Sequence, residues 1–108
     1  MLPAIPDYAV RAMQDAVQLL GKPIQFIEAG SPTGRTIRAR VSYLGASDLV
    51  NAFEQYPIRV TVDARDFASR APFKGDTFVI DNARCAIESV NESHTGDKLV
   101  KYVCGVRG

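Results

Sequence analysis

The sequence contains no tryptophan, one histidine and two cysteines in 108 residues. Two cysteines are too few for the disulfide framework of a small secreted scaffold, and no second cysteine pair supplies zinc-ligand spacing. We expect Cys85 and Cys104 to be reduced, buried core thiols, although neighbouring strands would let them approach each other. A single histidine cannot share a metal ion with a second imidazole. The sequence therefore predicts no metal and no cofactor.

A charge excess and long apolar runs are also missing. Thirteen basic residues against twelve acidic ones leave a formal net charge of +1, whereas dedicated nucleic-acid binders usually carry a basic excess. No stretch approaches the roughly 20 apolar residues that a membrane span needs. The N-terminus lacks a basic region followed by a long apolar one. We expect a cytoplasmic protein without membrane contact.

One amphipathic helix is predicted over residues 7–20. Its apolar positions recur at steps of three and four and would form one buried stripe, namely Val10, Met13, Val17 and Leu20. Asp7 is placed to cap the helix, and Gly21 is placed to end it.

Beyond Pro23 the apolar period changes to two, which is typical of strands. Strands are predicted at 24–28, 36–44, 58–62, 77–80, 85–90 and 99–106, with a turn at 30–34 and a polar loop at 91–97. The predicted fold is mainly β (α+β): an N-terminal helix packed on a small antiparallel β-barrel or sandwich of about six strands. We expect a single domain over 1–108, with an N-terminal arm at 1–6, a β-domain at 23–108 and a loop excursion at 45–56.

Three features that resemble catalytic or ligand-binding motifs have simpler explanations. His94 lies in the polar loop beside Glu92 and Asp97, and nothing in the sequence brings a pocket to it. The glycine-rich turn at 30–34 joins two strands and lacks the lysine and the helix start of a phosphate loop. The pair Asp63 and Asp66 fits helix capping and a surface ion pair better than acid–base chemistry. The sequence therefore predicts no catalytic residue.

An arginine-rich strand offers a second hypothesis. Arg35, Arg38 and Arg40 with Tyr43 would form a basic strip, and Tyr56 and Tyr102 would add stacking surfaces for a nucleic-acid-binding module. A solvated sheet face explains alternating arginines as well, because charged residues keep exposed strands soluble.

Two segments carry a family resemblance. Residues 60–67 (VTVDARDF) form a strand that ends in an acidic turn, and residues 73–80 (FKGDTFVI) place Gly75, Asp76 and Thr77 before alternating apolar residues. After a leading helix and hairpin, this layout resembles the head–tail joining proteins of tailed bacteriophages, in particular the lambda-like head–tail attachment proteins.

The resemblance implies a structural protein without catalysis. It would form a ring with copies of itself beneath the portal, close the DNA-filled head and contact portal or adaptor proteins and tail proteins, in non-specific proximity to packaged DNA. Its location would be the virion, and the host cytoplasm during assembly. Candidate contacts are the apolar residues of the excursion and of the N-terminal arm, although the excursion would equally serve to cover the core. These candidates are Leu49, Val50, Phe53, Tyr56, Leu2 and Ile5.

Overall fold

The computed structural model describes residues 6–43 and 58–107. Helix α1 spans Asp7–Leu19 and is followed by six strands, with a 3₁₀ helix at Ala64–Phe67 between the third and the fourth. The strands are β1 (Lys22–Ile27), β2 (Arg35–Tyr43), β3 (Ile58–Asp63), β4 (Thr77–Ile80), β5 (Ala83–Thr95) and β6 (Lys98–Arg107).

The six strands form one closed antiparallel barrel in the order β1-β2-β3-β6-β5-β4, and β4 pairs back onto β1. Consecutive strands pair in β1–β2, β2–β3, β4–β5 and β5–β6, and two-residue turns join the last two of these pairs. The predicted α+β fold with a helix on a small barrel is confirmed, and closure selects the barrel over the sandwich.

Inward-facing apolar residues of the strands fill the barrel interior. On β2, Ile37 and Ala39 point inwards while Arg38 and Arg40 are exposed, and Val60 and Val62 of β3 are fully buried. Phe67 packs edge-on against Phe26 with 4.8 Å between ring centroids, so this side chain anchors the 3₁₀ helix to the core.

The two ends of the barrel differ in their connections. We call the end that holds Tyr43, Ile58, Arg107 and the β4–β5 turn the upper end, and the end that holds the 3₁₀ helix the lower end. The turn consists of Asp81 and Asn82, both with positive φ (50° and 68°), as a two-residue type I′ hairpin requires.

Helix α1 lies across β2, β3 and β6. Its buried residues are Val10, Gln14 and Val17, so the predicted stripe was right at two positions and wrong at two: Met13 is 39% exposed and Leu20 65%. Gln14 replaces them because its side-chain amide donates to the Val100 carbonyl of β6 at 3.3 Å.

The predicted cap was wrong as well. The N-cap position belongs to Pro6 without a side-chain hydrogen bond, and Asp7 is already helical. In the described part of the chain, no helix has the length and apolarity to cross a membrane.

The polar loop predicted at 91–97 was also wrong. These residues extend β5 to Thr95, and the turn is reduced to Gly96 and Asp97, with Gly96 at φ 62°. The polar residues of this hairpin pair across β5 and β6, and the hairpin also contacts the helix. Lys98 forms an ion pair with Asp7 at 3.4 Å.

Candidate interaction surface

Large apolar side chains are exposed at several places in the described residues. They are Tyr8, Met13, Leu19, Leu20, Tyr43 and Phe73. Leu19, Leu20 and Tyr43 are 80%, 65% and 63% exposed; the two leucines lie where the helix ends, and Tyr43 lies where β2 leaves the barrel. We call these three residues the apolar patch.

The backbone beside the apolar patch is held rigidly. Arg38 on the outer face of β2 donates from Nε to the Gln18 carbonyl at 2.9 Å and from Nη2 to the Gly21 carbonyl at 2.6 Å. The Gln18 carbonyl also accepts from the Gly21 amide at 3.2 Å, so Arg38 adds side-chain donors to the turn that ends the helix. Leu19 and Arg38 line one shallow depression with Asp15 and Gln18. The leucines are thus presented from a fixed helix end.

Lys22 at the start of β1 pairs with Ala39, four residues before Tyr43 on β2. Lys22 donates to Asp81 at 2.9 Å, and this bond, with a smaller contribution from Tyr43, raises the pKa of the lysine. The apolar patch is therefore bordered by an ion pair that links β1 to the β4–β5 turn.

The chain that connects β2 to β3 begins and ends at the upper end. Tyr43 is the cross-strand partner of Ile58, so the connection leaves and returns at neighbouring positions. The predicted contact residues Leu49, Val50, Phe53 and Tyr56 belong to this connection and lie outside the described residues, as do Leu2 and Ile5.

The acidic pair after β3 is structural. Asp63 is fully buried and accepts from the Arg65 amide at 2.9 Å, from the Arg65 side chain and from Gln18 Nε2 at 2.7 Å. It caps the 3₁₀ helix and ties it to α1. Burial, and secondly the Asp63 carboxylate, raise the pKa of Asp66 against the opposing effect of Arg35 and Arg65.

A second buried carboxylate was missed in the sequence. Asp76 is fully buried, binds both terminal nitrogens of Arg70 at 3.0 Å and accepts from the amides of Ala29 and Phe73 at 2.9 and 3.0 Å. Burial would raise the pKa of Asp76, but the bonds from Arg70 and the two amides outweigh it and lower the pKa. The only sequence signal was the Gly75–Asp76 dipeptide at the strand entry.

Three further reactive side chains lie in the described residues. His94 is an exposed residue of β5 opposite Leu99. Cys85 and Cys104 are buried free thiols, as predicted. Burial raises the pKa of both, that of Cys104 to about 12.

The predicted arginine strip is divided between two faces. Arg38 and Arg40 lie on the outer face of β2, but Arg35 has the opposite parity and covers the lower end, with its guanidinium 4.9 Å from the Phe67 ring centroid and 5.4 Å from that of Phe26. Tyr102 is buried in the core against Phe67 and offers no stacking surface.

Within residues 6–43 and 58–107, no three histidine, cysteine, aspartate or glutamate side chains are grouped to hold a metal ion. In the same residues, every buried side-chain nitrogen or oxygen has a hydrogen-bond partner. No protein-family model matches the chain, and no curated protein matches it.

Proposed function

We propose that this protein is a virion structural protein that joins the DNA-filled head of a tailed bacteriophage to the tail, as a connector ring beneath the portal. The observation that carries the proposal is the apolar patch, in which Tyr43 lies at the root of the β2–β3 connection. In the sequence, the connection between Tyr43 and Ile58 contains the apolar residues Leu49, Val50, Phe53 and Tyr56. Exposed apolar clusters of this kind mark protein–protein contacts.

The resemblance of residues 60–67 and 73–80 supports the same proposal. In the structure these segments form β3 with its acidic turn and the Asp76-centred entry to β4. A closed barrel has few free edges, so a ring would be built from side-chain surfaces and the loop excursion rather than from added strands. The partners in this proposal are copies of this chain, portal or adaptor proteins, and tail proteins. Joining the head to the tail in this way requires no enzymatic step.

The test is complementation of DNA-filled, tailless heads with free tails. Purified protein is added, and joined particles are counted against a control without it. We expect joined particles only when the protein is present. Failure to join correctly matched heads and tails would contradict the proposal.

Two variants connect the activity to the apolar patch. Leu20→Gln combined with Tyr43→Gln removes two exposed apolar contacts, and we expect the joining yield to fall about tenfold or more, as expected when roughly 1.4 kcal/mol of contact energy is lost. Tyr8→Gln changes a similarly exposed side chain at the other end of the helix and should leave the yield unchanged. Equal yields for the two variants would remove the apolar patch from the interface.

A further inference from the structure

Four arginines occupy outer-face positions on four adjacent strands of the barrel. They are Arg40 on β2, Arg59 on β3, Arg107 on β6 and Arg84 on β5. Their direct cross-strand neighbours are uncharged: Arg40 faces Thr61, Arg59 faces Gly105, and Arg107 faces Ala86. We call these four residues the arginine belt.

Each arginine is the diagonal neighbour of the next. Arg59 lies two residues from Thr61, the partner of Arg40. In the same way, Arg107 lies two residues from Gly105, the partner of Arg59, and Arg84 lies two residues from Ala86, the partner of Arg107. Every step moves towards the upper end of the barrel. Diagonal neighbours have Cα atoms roughly 7–8 Å apart, so the belt extends over about 20 Å.

The belt runs nearly level around the barrel. Following the paired positions strand by strand from Tyr43 around the barrel leads back to β2 about ten residues lower, which is the stagger that closure of a sheet requires. This descent is just under two residues per strand, and each arginine lies two residues closer to the upper end than the partner of the arginine before it. The climb cancels the descent and keeps the four side chains at a similar height near the upper end.

The belt is accessible to a ligand. Arg40, Arg84 and Arg107 are exposed, and Arg59 is half-buried. Arg59 and Arg107 also interact with other groups, but a guanidinium has five N–H donors and can hold a protein neighbour and an anion together. Arg38 is excluded from the belt because its donors hold the helix end.

We propose that the arginine belt binds the phosphate backbone of duplex DNA without sequence preference. Four delocalised cations with uncharged residues between them match a polyanion, since arginine pairs well with phosphate oxygens. Base readout would require an element that enters a groove, and the described convex face supplies none. The belt itself does not depend on the connector role; its meaning as a contact with the end of the packaged DNA rests on the proposed function.

The experiment measures the affinity of the full chain for a short DNA duplex at several salt concentrations. For four phosphate contacts, affinity should fall by about two orders of magnitude between 50 and 200 mM salt. In the variant Arg40→Gln with Arg84→Gln, two contacts are lost, and the decrease should shrink to about tenfold. The variant Arg11→Gln with Lys74→Gln removes the same charge away from the belt and should behave as wild type.

Equal salt dependence in the two double variants would overturn the inference, and so would the absence of duplex binding by the wild-type protein at 50 mM salt. Melting curves establish that both variants are folded. Head–tail joining is measured in parallel: loss of joining by the belt variant with unchanged DNA binding would assign the belt to an acidic protein surface and also overturn the inference. DNA binding without any joining activity would support the belt and contradict the proposed function.

Discussion

At the residue scale, Asp76 gives the clearest prediction of stability. Asp76→Asn removes the charge that Arg70 and two backbone amides bind. Breaking a buried ion pair costs about 3–5 kcal/mol, and we expect the lower value, about 3 kcal/mol, because the Arg70 side chain is 27% exposed. Urea denaturation at pH 7 measures the loss. Asp97→Asn in the exposed β5–β6 turn is the control, and equal stability of the two variants would contradict the prediction.

The same carboxylate predicts a dependence on pH. Its pKa is lowered in the folded protein, so its contribution is complete above its ordinary value of 3.8 and is lost as the pH falls through the lowered pKa. The stability difference between wild type and Asp76→Asn should therefore be constant from pH 7 to about pH 5 and shrink below pH 3.8. A constant difference at pH 3 would show that Asp76 has an ordinary pKa.

Cys104 is predicted to be unreactive in the native protein. Its thiol is fully buried, and burial together with the Asp76 charge raises its pKa to about 12. The thiolate is the reactive form, so iodoacetamide at pH 8 should leave Cys104 unmodified until the protein unfolds. Ser42→Cys, on the exposed outer face of β2, supplies a reactive control. Mass spectrometry that shows native Cys104 modified at the rate of the control would contradict the prediction.

At the element scale, the junction between helix and barrel depends on Gly21. A β-carbon at this position would lie 2.7 Å from the Ala39 carbonyl oxygen and 2.8 Å from that of Val17, and both are backbone atoms. We expect Gly21→Ala to lower the free energy of unfolding by about 1–3 kcal/mol, the range for overpacking. Leu20→Ala changes an exposed neighbour and should stay within about 0.5 kcal/mol of wild type. Similar denaturation midpoints for the two variants would contradict the close approach.

The helix shows which part of an element its sequence determines. Spacing of three and four residues predicted its extent, because a repeat of this period has one structural explanation. It could not predict that Gln14 is buried and Leu20 exposed. That choice depends on where the Val100 carbonyl lies, 86 residues away in the chain. Long-range partners decide the buried face when the apolar stripe is short.

The β5–β6 hairpin was underestimated for a similar reason. Polar residues at 91–95 read as a loop, yet Asn91 and Glu92 pair across to Val103 and Tyr102 of β6. Polar side chains suit a hairpin whose outer surface is in water, and alternation is lost where neither face is fully buried. The arginine belt was equally hidden, because its members are far apart in the sequence and only the strand register brings them together.

At the scale of the whole molecule, three polar contacts join the helix to the barrel and to the 3₁₀ helix. Gln18 donates to Asp63 at 2.7 Å, Arg38 donates to the Gln18 carbonyl, and Arg65 pairs with Asp15 at 2.8 Å. Small domains with such shared contacts usually unfold in one cooperative transition. We expect thermal unfolding followed by far-UV circular dichroism and by tyrosine fluorescence to give the same midpoint.

Gln18→Ala tests whether this coupling is real. The variant leaves a lone pair of the buried Asp63 carboxylate without its donor from the helix, which costs about 1 kcal/mol and should lower the midpoint by about 4–8 °C. Both signals should move together, because the lost bond belongs to the junction and the tyrosines lie on both of its sides, Tyr8 on the helix and Tyr102 in the barrel core. Arg11→Gln, an exposed helix substitution, should leave the midpoint unchanged. Helix melting ahead of the tyrosine signal would show that α1 is an independent appendage and that the barrel alone carries the cooperative fold.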